Sequence, residues 1–453
     1  MTLDRQATAR ACSATRLTRR EALRLGIGAL AAGPFLRTRR VSAAGLEQKA
    51  RIAAVGVGNK GWSDLLSVAS SPGADIVALC DVDTNFLGKA SEQFPKATAF
   101  RDYRVMLEKL GDGIDGVVIS TPDHMHGAIS LAAMSLGKHV YVQKPLAHNL
   151  AELRAMCDAA AEQGVVTQMG TQVHGDQSYR TAAKMLRDGA IGKVSEVHCW
   201  LGRGLPLPAK ERPDRADPVP ATLDWALWQG VTPENSYVEG YYHPFAWRMW
   251  RDYGGGVLGD MASHLFDPIF TGLDLKAPLT VRSDGPAHLR DTYATDTDVT
   301  YTFAPTPLTA DTFTIRWVNG AFKPDVAKAQ LPEGVNLSAS GSFLVGDKGV
   351  MVLPHWGMPS FYSQNKPMEI EVKSAGSVDH YHEWVDACRG EGKTSTPFTY
   401  SGPLTEAVIL GTIAGAFPKE DLAWDTEKLS FNHEGANGLI HRKYRDDWRP
   451  LGV

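Results

Sequence analysis

The chain has 453 residues, 43% of them hydrophobic and 22% charged, with a formal net charge of −4. This excludes a low-complexity or disordered polymer and argues against nucleic acid as a partner. The length predicts two or three domains with a sizeable core, and five cysteines without Cys-x-x-Cys spacing exclude a disulfide framework or a cysteine metal site.

The charge is unevenly placed. Residues 1–44 hold nine Arg/Lys and two Asp/Glu, leaving 38 basic and 49 acidic residues for the rest. Arg19-Arg20 precede a short apolar run from Leu25 to Leu36, and Val41-Ser42-Ala43-Ala44 follow. A basic start, a short apolar core and small residues describe a signal peptide, not a membrane span. The paired arginines resemble a twin-arginine export signal, although the basic cluster Arg37–Arg40 departs from that pattern. The expectation is a leader over 1–44, a periplasmic protein, and no membrane span once the leader is removed. The other reading is a basic, amphipathic or disordered N-terminus.

Arg51–Val55 is an apolar strand running into Gly56-Val57-Gly58-Asn59-Lys60-Gly61, followed by a helical pattern and a second strand, Asp75–Cys80, ending at Asp81. The glycine turn alone is a weak signal. Strand, turn, helix, strand and terminal acid in this order describe a Rossmann dinucleotide-binding unit. Its glycines let the backbone approach a pyrophosphate at a helix N-terminus, and Asp81 is placed for the adenosine ribose. An acid there repels a 2′-phosphate, so NAD is expected rather than NADP. Further apolar strands end in Thr121-Pro122-Asp123-His124-Met125-His126 and in Val140-Tyr141-Val142-Gln143-Lys144-Pro145. Polar groups at the carboxyl ends of parallel strands face the ligand crevice. The expected cofactor contacts are Gly56, Gly58, Asn59, Lys60, Gly61, Asp81, Thr121, Pro122, His126 and Lys144. A lysine at the end of a buried strand costs desolvation energy unless its charge is used.

This ordered set resembles the Gfo/Idh/MocA oxidoreductases. Asp123 and Gln143 depart from it, standing where many members have Asn and Glu. The resemblance implies a Rossmann domain over 48–170, then an α+β domain over 171–453 with a large, mostly antiparallel open sheet. It also implies homo-oligomers.

In the second half, Gln172 and His174 open the new domain. Residues 205–220 are a proline- and charge-rich loop, and Trp225–Tyr253 holds nine Phe/Trp/Tyr residues. These aromatics either stack on a carbohydrate or pack their own loop down. After Gly254-Gly255-Gly256, a helical pattern puts Asp260 and His264 on one face. Read from the residues alone, Asp260 is an N-terminal cap and His264 a core histidine. The resemblance makes them catalytic together with Lys144. His264 has a suitable ordinary pKa for a general base, and Lys144 is either an electrostatic clamp on the substrate oxygen or, if burial depresses its pKa, the base itself. Gln172, His174, Trp250 and Asp267 are candidate substrate contacts, Asp267 alternatively being structural. Strands are predicted at Leu279–Ser283, Asp298–Phe303, Thr312–Val318, Gly341–Val345, Gly349–Leu353 and Met368–Val372. Helices at Asp379–Cys388 and Pro403–Ala416 pack on the sheet or return to the first domain. The functional expectation is an NAD-dependent oxidoreductase acting on a sugar, polyol or glycoside hydroxyl with tightly bound nicotinamide. A redox-neutral NAD-dependent glycosidase and a non-catalytic sugar- or nucleotide-binding protein are the alternatives.

Overall fold

The computed structural model describes residues 48–202, 205, 207 and 210–453; the leader expected over 1–44 lies outside them. Strand β1 (Ala50–Val55) is almost wholly buried, as a central parallel strand covered on both faces must be. It pairs in parallel with β2 (Ala74–Cys80) and, on its other side, with β4 (Gly116–Ile119). Together with β3 (Thr98–Phe100), β5 (His139–Gln143) and β6 (Thr167–Gly170), these form a six-stranded parallel sheet in the order β3-β2-β1-β4-β5-β6. The order reverses between β1 and β4, which opens a ligand crevice at their carboxyl ends. Helix α1 (Lys60–Ala69) follows β1 closely. A Cβ on Gly61 would lie 1.9 Å from the Gly56 carbonyl oxygen, so only glycine allows this approach.

The second sheet has ten strands in the order β14-β13-β12-β11-β7-β10-β9-β8-β15-β16. These are β7 (Val194–Leu201), β8 (Thr280–Ser283), β9 (Thr297–Phe303), β10 (Thr309–Asn319), β11 (Ser340–Gly346), β12 (Val350–Pro354), β13 (Ser360–Ser363), β14 (Lys366–Pro367), β15 (Leu422–Asp425) and β16 (Ser430–Phe431). Every pairing is antiparallel except β7 with β10. Helices α2 (Gln177–Arg187), α3 (Gly256–Leu273) and α5 (Phe398–Ala414) pack together on this domain. Phe266 of α3 meets Tyr301 and Trp317 of the sheet edge-on, at 5.6 and 6.1 Å between ring centres.

Helix α4 (His380–Cys388) is capped by Asp379, whose carboxylate accepts the Tyr381 and His382 N–H groups at 3.0 Å. It packs on the first domain: Trp384 is fully buried, 5.8 Å from Tyr141, and a Cβ on Gly116 would stand 3.0 Å from its ring. The strand expected at Met368–Val372 does not form. Pairing stops at Pro367, and Glu369, Glu371 and Lys373 are exposed at the sheet's edge with no further strand to join. The short strands β13, β15 and β16 escape the periodicity, because two to four residues carry too little alternation to read. Among the described residues no helix is long and apolar enough to cross a membrane.

Trp384→Ala removes the ring that joins α4 to the first sheet. It is expected to cost about 3–5 kcal/mol of stability, seen as a lowered midpoint in thermal unfolding, and an unchanged midpoint would contradict this packing.

Candidate active site

A cavity of about 360 Å³ opens at the switch point of the first sheet and runs from Asp81 to His264 in the second domain. Its floor is built by the glycine turn. Gly56 has φ +79°, and a Cβ there would meet the Ser120 carbonyl group at 2.8 Å. A Cβ on Gly58 would strike the Phe86 ring. Asn59 also has positive φ (47°) and lines the cavity with Lys60. At the far end of the turn, the Asp81 carboxylate accepts the backbone N–H groups of Val57 (2.8 Å) and Asp83 (2.9 Å). Burial nevertheless pushes its pKa above the usual carboxylate value. Thr121 and Pro122 line the cavity too, and Thr121 Oγ1 is buried without a partner among the described residues. A bare glycine cradle, a ribose-side acid and an orphaned hydroxyl fit a dinucleotide.

At the other end, Lys144 leaves β5 and its Nζ donates to Asp260 twice, to the backbone carbonyl at 2.6 Å and to Oδ1 at 2.9 Å. Arg248 Nε approaches the same Oδ1 at 3.4 Å. Burial pushes the Asp260 carboxyl up, but the two cations outweigh it and hold the pKa at about 2. His264 lies one turn further along α3. Burial, with Lys144 beside it, pushes its pKa well below the ordinary value, so the imidazole is neutral. Its Nδ1 faces Thr171 Oγ1 at 3.4 Å. The structure thus assembles Lys144, Asp260 and His264 around one end of the cavity, with Gln172 at its wall.

Several expected contacts lie elsewhere. His126 is fully buried outside the cavity lining, its ring nitrogens 2.8 Å from the Pro145 carbonyl and 3.0 Å from that of Thr121. Burial lowers its pKa to about 4, so the neutral ring donates to one carbonyl at a time. It braces the two strand ends that carry Thr121 and Lys144. Gly61 serves close packing of α1. Trp250 is buried within the aromatic segment, donating its indole N–H to the Tyr241 carbonyl at 2.5 Å. His174 and Asp267 pair with each other at 2.9 Å, and Tyr400 donates to Asp267 at 2.8 Å. This buried cluster lies outside the cavity lining: Asp267 shares the helical face of Asp260 and His264 but sits about two turns beyond Asp260, where His174 and Tyr400 meet it.

Other residues at or beneath the site, among them Asp64, Arg248 and Trp448, were not singled out by the sequence. Asp64, fully buried, accepts from Ser120 Oγ (2.8 Å), Gln143 Nε2 (2.9 Å), Tyr381 O–H (2.7 Å) and Lys60 Nζ. A glutamate in place of Gln143 would set two carboxylates together there. Trp228, Phe245, Trp247 and Arg248 reach the cavity from the aromatic segment, whose other rings pack on each other. Trp448 joins them from the C-terminal segment, beneath the Arg104 guanidinium. Asp123 lines the cavity although only 5% exposed, and accepts the Gly255 N–H. Burial raises its pKa to about 7 against the pull of Lys144.

The fold and this cavity define a dinucleotide-binding protein with a lysine–aspartate–histidine group at the seam of its two domains. Two profiles of one oxidoreductase family match: the NAD-binding Rossmann fold over residues 50–171 and the C-terminal alpha/beta domain over 209–308. Residues 50–171 and 209–308 are thus similar to the two domains of the Gfo/Idh/MocA oxidoreductases. It is 27% identical to levoglucosan dehydrogenase of Pseudarthrobacter phenanthrenivorans over 42% of this chain and 40% of that protein. It is 28% identical to glycosyl hydrolase family 109 protein 1 of Shewanella sp. (strain ANA-3), over 32% of this chain and 33% of that protein. The chain spans about two fifths of the length of the first curated relatives it matches. Among solved structures, the WlbA dehydrogenase from Bordetella pertussis in complex with NADH and UDP-GlcNAcA superposes with a TM-score of 0.59 at 17% identity, covering 83% of this chain and 99% of that one; the likeness is one of fold.

Asp123 titrates higher in the folded chain than in the unfolded one, so its burial costs stability increasingly as pH rises from about 4 to 7. Asp123→Asn, measured without cofactor by thermal unfolding, should gain on the wild type between pH 4 and pH 8 by up to about 4 kcal/mol. An equal difference at both pH values would contradict the assignment.

Proposed function

We propose that the protein oxidises a hydroxyl of a sugar, polyol or glycoside with NAD held as a resident cofactor. The observation that carries this reading is the meeting of Lys144, Asp260 and His264 at the end of the dinucleotide cavity. Gly56, Gly58 and Asn59 would hold the pyrophosphate, Asp81 the adenosine ribose, and Thr121 and Lys144 the nicotinamide side. When bound, the nicotinamide supplies a hydride acceptor.

The chain's own groups divide the remaining work. Lys144 has given two donors to Asp260, so the third N–H of its ammonium is left for the substrate oxygen, where it stabilises developing negative charge. His264, neutral through burial, takes the hydroxyl proton. Asp260 stays ionised and fixes the lysine. This division favours Lys144 as clamp and His264 as base.

Retention of the cofactor is supported by the strap of residues 222–253. Thr84 N–H donates to the Thr222 carbonyl at 2.9 Å, Asp224 N–H to the Val82 carbonyl at 3.0 Å, and His243 Nε2 meets Asp83 at 3.0 Å. The strap thereby ties down over the β2 end of the cavity, with Trp448 closing beside it. The same reading takes residues 1–44 as a twin-arginine leader and places the protein in the periplasm, supported by Arg19-Arg20 and the short apolar run. A resident cofactor suits a compartment poor in soluble NAD. Assembly into homo-oligomers belongs to this reading too.

The match to a glycosyl hydrolase family 109 protein favours one second reading. Oxidation of a ring carbon would acidify the neighbouring C–H, so that its proton and the aglycone leave by elimination; water would then add across the resulting double bond, and the hydride taken in the first step would be returned to restore the sugar. Product analysis with catalytic NAD distinguishes the two: a keto-sugar supports net oxidation, whereas free sugar and aglycone support cleavage.

Lys144→Ala should lower kcat at least ~10²-fold while mass spectrometry finds the nucleotide content of the purified protein unchanged. Full turnover in that variant would remove Lys144 from the chemistry.

A further inference from the structure

Past His264, ring contacts lead to residues that the proposed chemistry does not use. His355 follows β12, and its ring centre lies 6.2 Å from that of His264. Tyr179 O–H and His355 Nδ1 lie 2.5 Å apart, which orients the imidazole. Among the described residues its Nε2 has no protein partner, leaving one polar atom for a ligand. The next residue is Trp356, 5.2 Å from His355 ring to ring. It is 63% exposed, the largest exposure among the big apolar side chains described. Its φ is +63°, in the left-handed region, which is strained for a bulky residue and where functional sites concentrate. The turn is closed by Gly357 N–H donating to the Pro354 carbonyl at 3.2 Å. Neither burial nor a hydrogen bond of the indole explains this conformation. What the turn achieves is to present an aromatic face two ring contacts from the imidazole that takes the substrate proton.

We propose that His355 and Trp356 form an outer subsite that holds the second ring of a glycoside, either an aryl group or a sugar. Resting on the proposed function, this narrows its substrate from free sugars and polyols to two-ring glycosides. The oxidised ring sits at Lys144 and His264. The attached ring stacks on the indole, as C–H and aryl faces do, and His355 Nε2 meets a hydroxyl or the linking oxygen. The order along the site is then nucleotide, nicotinamide side, catalytic group, outer ring.

The test is calorimetric titration of the NAD-loaded full chain with methyl and 4-nitrophenyl glycosides of glucose, galactose and N-acetylglucosamine, and with cellobiose. The wild type should bind a 4-nitrophenyl glycoside or cellobiose ~10-fold tighter than the matching methyl glycoside. Trp356→Ala should abolish that preference and change methyl glycoside affinity less than about twofold, while Trp356→Phe retains most of it. A preference for aryl alone or for cellobiose alone identifies the second ring. The proposal is overturned if the wild type shows no preference, if the preference survives in Trp356→Ala, or if all ligands weaken together. It is equally overturned if Trp356→Ala shifts the sedimenting species to a smaller oligomer, since Trp356 is then a subunit contact. A Trp356-dependent preference without reduction of bound NAD by any ligand would keep the subsite and refute the redox reading.

Discussion

The ion pair between Lys144 and Asp260 is the interaction on which the rest of the molecule converges. One partner ends the fifth strand of the parallel sheet and the other sits near the start of the long helix of the second domain. Both are largely buried, at 14% and 18% side-chain exposure. Removing one side of such a pair strands a charge, typically at about 3–5 kcal/mol. The bond therefore joins the domains and positions the chemistry at once. It also orders the charges around it. Burial leaves His264 neutral and Asp123 titrating near neutrality, with the field of Lys144 lowering both pKa values and the Asp260 carboxylate raising both.

A second constraint lies beneath the cavity. Asp64 gathers four donors, from Lys60, Ser120, Gln143 and Tyr381, which belong to four separate segments of the chain. A buried carboxylate is tolerated only when its lone pairs are filled in this way. The network ties the glycine turn, the ends of β4 and β5, and the returning helix α4 into one unit. It also gives Gln143 a reason: an amide can donate to Asp64, and a second carboxylate could not.

Much of the first domain was legible because its signals are local. The glycine spacing, the apolar runs and the acid at the end of β2 each depend on neighbours within about 30 residues. The lysine after β5 was legible as an energetic anomaly, a charge on a buried strand. Local readings failed where a residue's partner is distant. His126 has the right address for a cofactor contact but spends its ring on two backbone carbonyls. Trp250 belongs to the right segment but turns inward, whereas Trp228 and Trp247 reach the cavity. Asp267 shares a helix with Asp260 and His264, yet pairs with His174 away from the cavity.

By itself, the sequence determined that a dinucleotide fits the first domain and that Lys144 is a charge at the end of a buried strand; Asp260 and His264 read alone as a cap and a core histidine, and the family resemblance singled them out. Strand ends, glycine turns and helical spacing are encoded within single segments. Only the tertiary structure decided which of these groups meet, which are neutral, and what surrounds them. Burial and the Coulomb field depend on segments far apart in the chain, such as β5 against the second domain's helix, the strap over the β2 loop, and the turn that sets His355 beside His264. No window of sequence contains both halves of those contacts.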